Sequence, residues 1–275
     1  MTNPSYSIKI GGEAGQGIKS SSLSLTKVAL RSGYHVFTYS EYPSLIRGGH
    51  NVVQIVFSQD VVTAPILPVN FLIALDAKTI AHHQSELVDQ AGIIYESNNQ
   101  VDIASLTKFR LFPIPLNKLA KDVGGTDLVA NTVAIGAALA LMSGNLTHFL
   151  NLLSESLSTK GDEMVKINQA AASAGYAYAQ TNFPQLFQPL LAPLATDNPE
   201  IVCNGNEAIT LGAIAAGLQF ASIYPMTPIT AILENLAKYQ QNYGYIYKQP
   251  EDEIAAINMA IGASFAGARS MVGTV

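Results

Sequence analysis

The order of its local patterns constrains this chain most. YSIKI, residues 6–10, has strand composition. GGEAGQG, 11–17, is a glycine-rich turn, and IKSSSLSLTKVALRSG, 18–33, carries helical spacing up to Gly33. Strand signals recur at HVFTYS (35–40), NVVQIVFS (51–58), VNFLIALD (69–76), GIIYES (92–97) and RLFPIPL (110–116), and helical spacing at 127–142, 146–158 and 162–180. Strands interleaved with helices predict an α/β fold, with a parallel sheet covered on both faces.

Composition narrows the function classes. Among 275 residues only 13% are charged, 48% are hydrophobic and the formal net charge is −5. No basic stripe is present to displace the counterions of a nucleic acid, so that partner is excluded. So poor a charge content predicts a surface partly covered by other subunits. The single cysteine, Cys203, excludes an internal disulfide and an iron–sulfur cluster held by this chain alone. The N-terminus has no charged segment followed by an apolar one, and a cytoplasmic setting is expected. LVANTVAIGAALALMSGNLT, 128–147, is uncharged and long enough for a membrane. Its Ala, Gly, Asn, Thr and Ser content and the lack of cationic or aromatic anchors predict a buried helix instead, packed closely on a sheet through small residues; no membrane partner is expected.

Residues 181–200, TNFPQLFQPLLAPLATDNPE, are proline-rich and aperiodic. They predict a linker held to a surface by its leucines and phenylalanines, and the expected division is 1–182, a linker at 183–200, and 201–275. The last segment starts afresh: a helix over GNEAITLGAIAAGLQF, the elbow YPMTP (224–228) between a strand and a helix, a strand at YGYIYKQ, a helix over EDEIAAINMAIGASFAGA and a strand at RSMVGTV. So small a unit ending on an apolar strand is expected to leave its core open.

Four features carry candidate chemistry. The turn holding Gly12, Gly15, Gln16 and Gly17 aims backbone N–H groups and a helix N-terminus at an anion, or else lets the helix pack tightly. Gly12, Ala14 and Gly17 approach the dinucleotide fingerprint, with Glu41 placed as a ribose-binding acid, so NAD binding is a further alternative; Glu13 opposes a nearby pyrophosphate. In SEYPSLIRGGH, Arg47 beside Gly48 and Gly49 either captures a carboxylate or phosphate or closes a hairpin at the surface. His50, His82 and His83 show no metal-ligand pattern and read as surface or capping residues, and no metal site is expected in this chain. Glu251, Asp252 and Glu253 open an uncharged helix. One acid serves a helix N-terminus, and Glu253, near Ile254 and Ile257, is expected to be half-buried with its pKa raised. In the elbow, Pro225 and Pro228 stiffen the backbone around Thr227.

These motifs together resemble the fused γ–α subunit of 2-oxoacid:ferredoxin oxidoreductases. GGEAGQGI and SEYPSLIRGGH are similar to signatures of the family's γ domain. GNEAITLGAIAAG, YPMTP and EDEIAAINMAIGASFAGAR are similar to the opening of its α domain. The resemblance implies a Rossmann-like γ domain followed by the start of a pyrimidine-type thiamine-diphosphate-binding α/β domain. It also implies coenzyme A-dependent oxidative decarboxylation of a 2-oxoacid, of the 2-oxoglutarate or pyruvate class, with electrons passed to ferredoxin. Glu253 matches the glutamate that hydrogen-bonds the cofactor pyrimidine and favours its imino tautomer. Thr227 matches the elbow threonine beside the substrate, with Tyr224 and Pro225 next to it; Met226 stands where isoleucine is commoner. The glycine loop and Arg47, Gly48 and Gly49 fall on the coenzyme A side. Mg²⁺ and a [4Fe-4S] cluster belong to a separate β subunit, and the α region beyond Val275 is needed for activity. An assembly module that completes no site is the alternative from a different class.

Overall fold

The computed structural model describes residues 4–41, 49–124, 126–184, 191–195 and 200–274. It divides into two compact units, Met1–Val202 and Cys203–Val275.

The first unit contains β1 (Ser5–Glu13), α1 (Ile18–Arg31), β2 (His35–Glu41), β3 (His50–Ser58), β4 (Val69–Ala74), α2 (Ala77–His83), β5 (Leu87–Glu96), β6 (Arg110–Ile114), α3 (Leu116–Gly124), α4 (Ala130–Leu141), α5 (Leu146–Leu157) and α6 (Asp162–Asn182). Its six-stranded sheet has the order β2-β3-β1-β4-β5-β6. The expected all-parallel sheet is corrected at one strand, since β3 runs antiparallel to both β2 and β1 while β1, β4, β5 and β6 pair in parallel. Residues 42–49 are fewer than the dozen or so that a parallel crossover needs, so β2 and β3 close as a hairpin.

Both sheet faces are covered. Phe71 and Ile73 of β4 enter the larger core with Leu25 and Val28 of α1, Ile135 of α4 and Phe149 of α5. Leu72 and Ala74, pointing the other way, pack with Ile80 of α2 and with Leu106. α2 and α3 were not legible as separate helices. α2 begins where Asp76, expected at a strand end, caps it by accepting the Thr79 N–H at 2.8 Å. The uncharged segment becomes α4, buried over most of its length, and its close contact is with α6 rather than with the sheet: Gly136 lies against the Ala172 carbonyl and Gly175 against that of Val133. No helix among the described residues is long and apolar enough to cross a membrane. The described part of the proline-rich segment is pinned to this unit. Leu191 is buried and its N–H donates to the Met142 carbonyl at 3.0 Å, while the Leu194 N–H donates to Ser32 at 2.7 Å.

The second unit comprises α7 (Gly205–Ala215), β7 (Phe220–Ile223), α8 (Thr230–Tyr243), β8 (Ile246–Lys248), α9 (Glu253–Phe265) and β9 (Ser270–Gly273). The three strands are parallel in the order β8-β7-β9. Ala221 and Ile223 pack under Ile232, Leu233 and Leu236 of α8, and Ala256 and Ala260 of α9 are buried. The other side of α9 presents Ile254 (72% exposed), Ile257, Ile261 and Phe265 (93% exposed). The glycine-rich helix over 205–220 is shorter than its composition suggests, ending at Ala215 so that Phe220 can start β7.

Candidate functional site

In the second unit, the C-terminal edge of the sheet gathers the elbow and the acidic helix start. β7 ends at Ile223, and the Tyr224 N–H donates to the Gly273 carbonyl at 3.0 Å, fastening the elbow to β9. Asn206 Nδ2 donates to the Pro228 carbonyl at 3.3 Å, which ties the start of α7 to its far end. The N–H and Oγ1–H of Thr230 both donate to the Met226 carbonyl at 3.0 Å. Tyr224 and Pro225 are half-buried, whereas Thr227 is exposed. Among the described residues the Thr227 hydroxyl has no hydrogen-bond partner, and α8 starts without any side-chain cap. The Thr227 hydroxyl therefore does not cap α8; Thr230 makes the local bond instead.

β8, parallel to β7, delivers the three acids to the same edge. Asp252 caps α9, accepting the Ala255 N–H at 2.7 Å. Glu251 is exposed, and Glu253 is half-buried as the first residue of α9, its carboxylate without a hydrogen-bond partner among the described residues. The helix dipole is thus served by Asp252, and Glu253 is left to interact with something else. The expected apolar flank is corrected: Ile254 and Ile257 point outward, and Ala256 and Ala260 face the sheet.

In the first unit, β1 leads through α1 to one side of the sheet and β4 through α2 to the other. A cleft of about 350 Å³ opens at that switch point, with Gly15, Gln16, Leu75, Glu96, Asn117, Asp127 and Asn131 in its wall. Gln16 folds back, its side-chain oxygen accepting the Glu13 N–H at 2.8 Å. A Cβ on Gly12 would meet that amide and, at 3.0 Å, Leu75. Gly17 caps α1 at φ 70°, with the Asn131 amide where its Cβ would be. Tight packing therefore accounts for Gly12 and Gly17, while Gly15 (φ 97°) faces open space. Glu96, nearly buried, caps the start of α3 by accepting the Asn117 N–H at 2.8 Å. Glu96, Asp127, Asn117 and Asn131 were not anticipated. A lone carboxylate closing the apolar strand GIIYE was the signal for the first of them.

Arg47 and Gly48 lie outside the described residues; Gly49 precedes β3 with φ 95°. Glu41 ends β2, which is separated from β1 by β3. The dinucleotide fold needs that strand beside β1, so the NAD reading loses its ribose-binding acid. His82 is exposed, as expected of a surface residue, but the reading of His50 and His83 is corrected. His50 and His83 bond each other through their Nε2 atoms at 2.8 Å, His83 is buried, and His82 stacks on His50. No group of three or more His, Cys, Asp or Glu among the described residues is arranged to hold a metal ion.

With this geometry in hand, two family models match the chain. Residues 7–178 match "Pyruvate ferredoxin/flavodoxin oxidoreductase", and residues 211–275 match "Pyruvate flavodoxin/ferredoxin oxidoreductase, thiamine diP-bdg". A 2-oxoacid:ferredoxin oxidoreductase subunit alpha from a Sulfolobus species is 24% identical, over 96% of this chain and 49% of that protein. The structure of 2-oxoglutarate:ferredoxin oxidoreductase from Magnetococcus marinus, with 2-oxoglutarate, coenzyme A and succinyl-CoA bound, superposes with a TM-score of 0.82. It is 28% identical and covers 97% of this chain and 47% of its own. A keto/oxoacid ferredoxin oxidoreductase gamma subunit from Geobacter sulfurreducens shares the fold of the first unit, with a TM-score of 0.55 at 21% identity, covering 65% of this chain and 98% of its own. The chain spans about half the length of the Sulfolobus protein (49%) and of the Magnetococcus chain (47%).

Proposed function

The chain belongs to the pyruvate ferredoxin/flavodoxin oxidoreductase family, and from that premise we propose that it supplies the pyrimidine side of a thiamine-diphosphate site. The enzyme would be a multi-subunit 2-oxoacid:ferredoxin oxidoreductase. One observation carries the reading. Glu253 and Thr227, two polar side chains with no partner among the described residues, leave adjacent parallel strands at one sheet edge. That edge lies in the segment matched by the thiamine-diphosphate-binding model.

The donor set fits the group. Glu253 would hydrogen-bond the pyrimidine, its carboxylate left available because Asp252 caps the helix. Thr227 would donate to the 2-oxoacid, its backbone held at both ends by Gly273 and Asn206, so that little ordering is needed on binding. Tyr224 and Pro225 would form the wall beneath it. When bound, thiamine diphosphate supplies the electron sink for decarboxylation. Mg²⁺, the diphosphate contacts and a [4Fe-4S] cluster are assigned to a β subunit, with ferredoxin as electron acceptor and acyl-CoA as product. The substrate class proposed is 2-oxoglutarate or pyruvate; the Magnetococcus likeness supports the former.

On the coenzyme A side we place Gly12, Gly15, Gln16 and Gly17, with Arg47, Gly48 and Gly49. The carboxylates of Glu96 and Asp127 in that cleft support contact with amide or amine groups of the coenzyme rather than with its phosphates.

The test uses the complete complex. Glu253→Gln is expected to abolish 2-oxoacid-dependent ferredoxin reduction and to weaken thiamine diphosphate binding by calorimetry. Turnover and cofactor affinity close to wild type would overturn the assignment. Thr227→Ala is expected to raise KM for the 2-oxoacid without changing Tm. The exposed apolar side of α9 favours a second reading, an assembly module. It predicts that both variants assemble with their partners as the wild type does and that no activity is lost.

A further inference from the structure

A histidine cluster lies on the α2 face of the six-stranded sheet, where β3 begins directly after Gly49. His50, the first residue of β3, covers Gly11 of β1, where a Cβ would sit 3.1 Å from its ring. His50 Nε2 is 2.8 Å from His83 Nε2, and His83 Nδ1 is 3.1 Å from Glu86 Oε2. The same carboxylate oxygen accepts from Lys9 Nζ at 2.5 Å. Lys9 and His83 are buried, and His82 stacks on His50 at 4.8 Å between ring centroids.

Hydrogen-bond logic assigns the protons. A carboxylate engaged by a lysine only accepts, so His83 carries its hydrogen on Nδ1 and accepts at Nε2. His50 must then donate from Nε2, which leaves its Nδ1 a bare lone pair; that atom is buried and without a partner among the described residues, as is Asp76 Oδ2.

We propose that the His50–His83 contact is an acid-operated latch, closed while His83 is neutral and opened when His83 Nε2 takes a proton, which frees the first residue of β3 from α2. An imidazolium has N–H on both nitrogens, so two hydrogens would then face each other at the Nε2 pair. A proton on His50 Nδ1 leaves the latch shut, because His50 still donates from Nε2. Lys9 from β1 and His82 from α2 oppose a further positive charge; Glu86 after α2, Asp76 at its cap and Glu41 of β2 favour it. Burial is the largest influence on both rings and, with the neighbouring cations, holds both below the ordinary histidine range. The folded chain therefore binds fewer protons than the unfolded one. The cluster's contribution to stability is complete above the unfolded value of about 6.5 and fades as pH falls below it.

The test is histidine ¹⁵N NMR on the full chain, combined with denaturant unfolding between pH 5 and 8. At pH 7.5 the expected tautomers are Nδ1–H for His83 and Nε2–H for His50. Between pH 6.5 and 5, unfolding should take up fewer protons in His83→Gln, and likewise in His50→Gln, than in the wild type, with the difference growing as pH falls. His148, also held down by burial and by Arg31, is common to all three chains and cancels. An Nε2–H tautomer at His83, its titration near 6.5, or equal proton uptake in all three chains would overturn the latch. The tautomer assignment needs only wild-type protein, so it decides the matter even if a variant fails to fold.

Discussion

A buried ammonium is expensive, and Lys9 shows how the chain meets that cost. Its neighbours on β1 are isoleucines, and its charge is matched by Glu86 at 2.5 Å. Burial raises the Glu86 carboxyl, but the bond to Lys9 and its charge more than reverse this, leaving the acid below the ordinary range. Glu86→Ala is expected to cost about 3 kcal/mol by denaturant unfolding, since it strands Lys9 in the core. The double variant Lys9→Met/Glu86→Ala should recover most of that loss. The sign with pH is opposite in cause to that of the histidines. A depressed carboxyl contributes its stability above the ordinary value of about 4.3 and loses it as pH falls through the folded value. Acid unfolding should therefore show two separable phases, one below about 6.5 from the histidines and a later one from Glu86.

At the scale of elements, helix crossings decide whether a glycine helps or harms. Gly136 of α4 and Gly175 of α6 each meet the other helix's backbone, and an added methyl would collide with a carbonyl at either place. Gly136→Ala and Gly175→Ala are each expected to destabilise by about 1–3 kcal/mol, the cost of overpacking. Gly212 of α7 has open space where a Cβ would go. Gly212→Ala should stabilise by about 0.5–1 kcal/mol, the gain from helix propensity alone. Thermal unfolding of the three variants distinguishes the two effects by the sign of the Tm shift.

For the whole molecule, two separate cores and an open apolar helix face set the behaviour in solution. Each unit has its own hydrophobic cluster, so calorimetry should resolve two transitions. The smaller unit exposes Ile254, Ile261 and Phe265 on α9, and the chain is expected to bind a hydrophobic dye. Ile254→Glu/Phe265→Glu should remove most of that signal without lowering Tm, because both side chains lie outside the core. Local patterns were enough to read the alternation of strands and helices, the elbow, the acidic start of α9 and the small-residue helix, because each is written in residues close in sequence. The hairpin of β2 and β3 was open only as one of two readings of the Arg47 loop, because strand patterns carry no direction, and only the sheet order places β3 between β2 and β1. Capping separated Asp252 from Glu253, and Thr230 from Thr227, through hydrogen-bond geometry that spacing alone leaves open. The histidines met for the same reason. His50 and His83 are far apart along the chain, and tertiary structure brings them together because β3 returns beside β1 under α2.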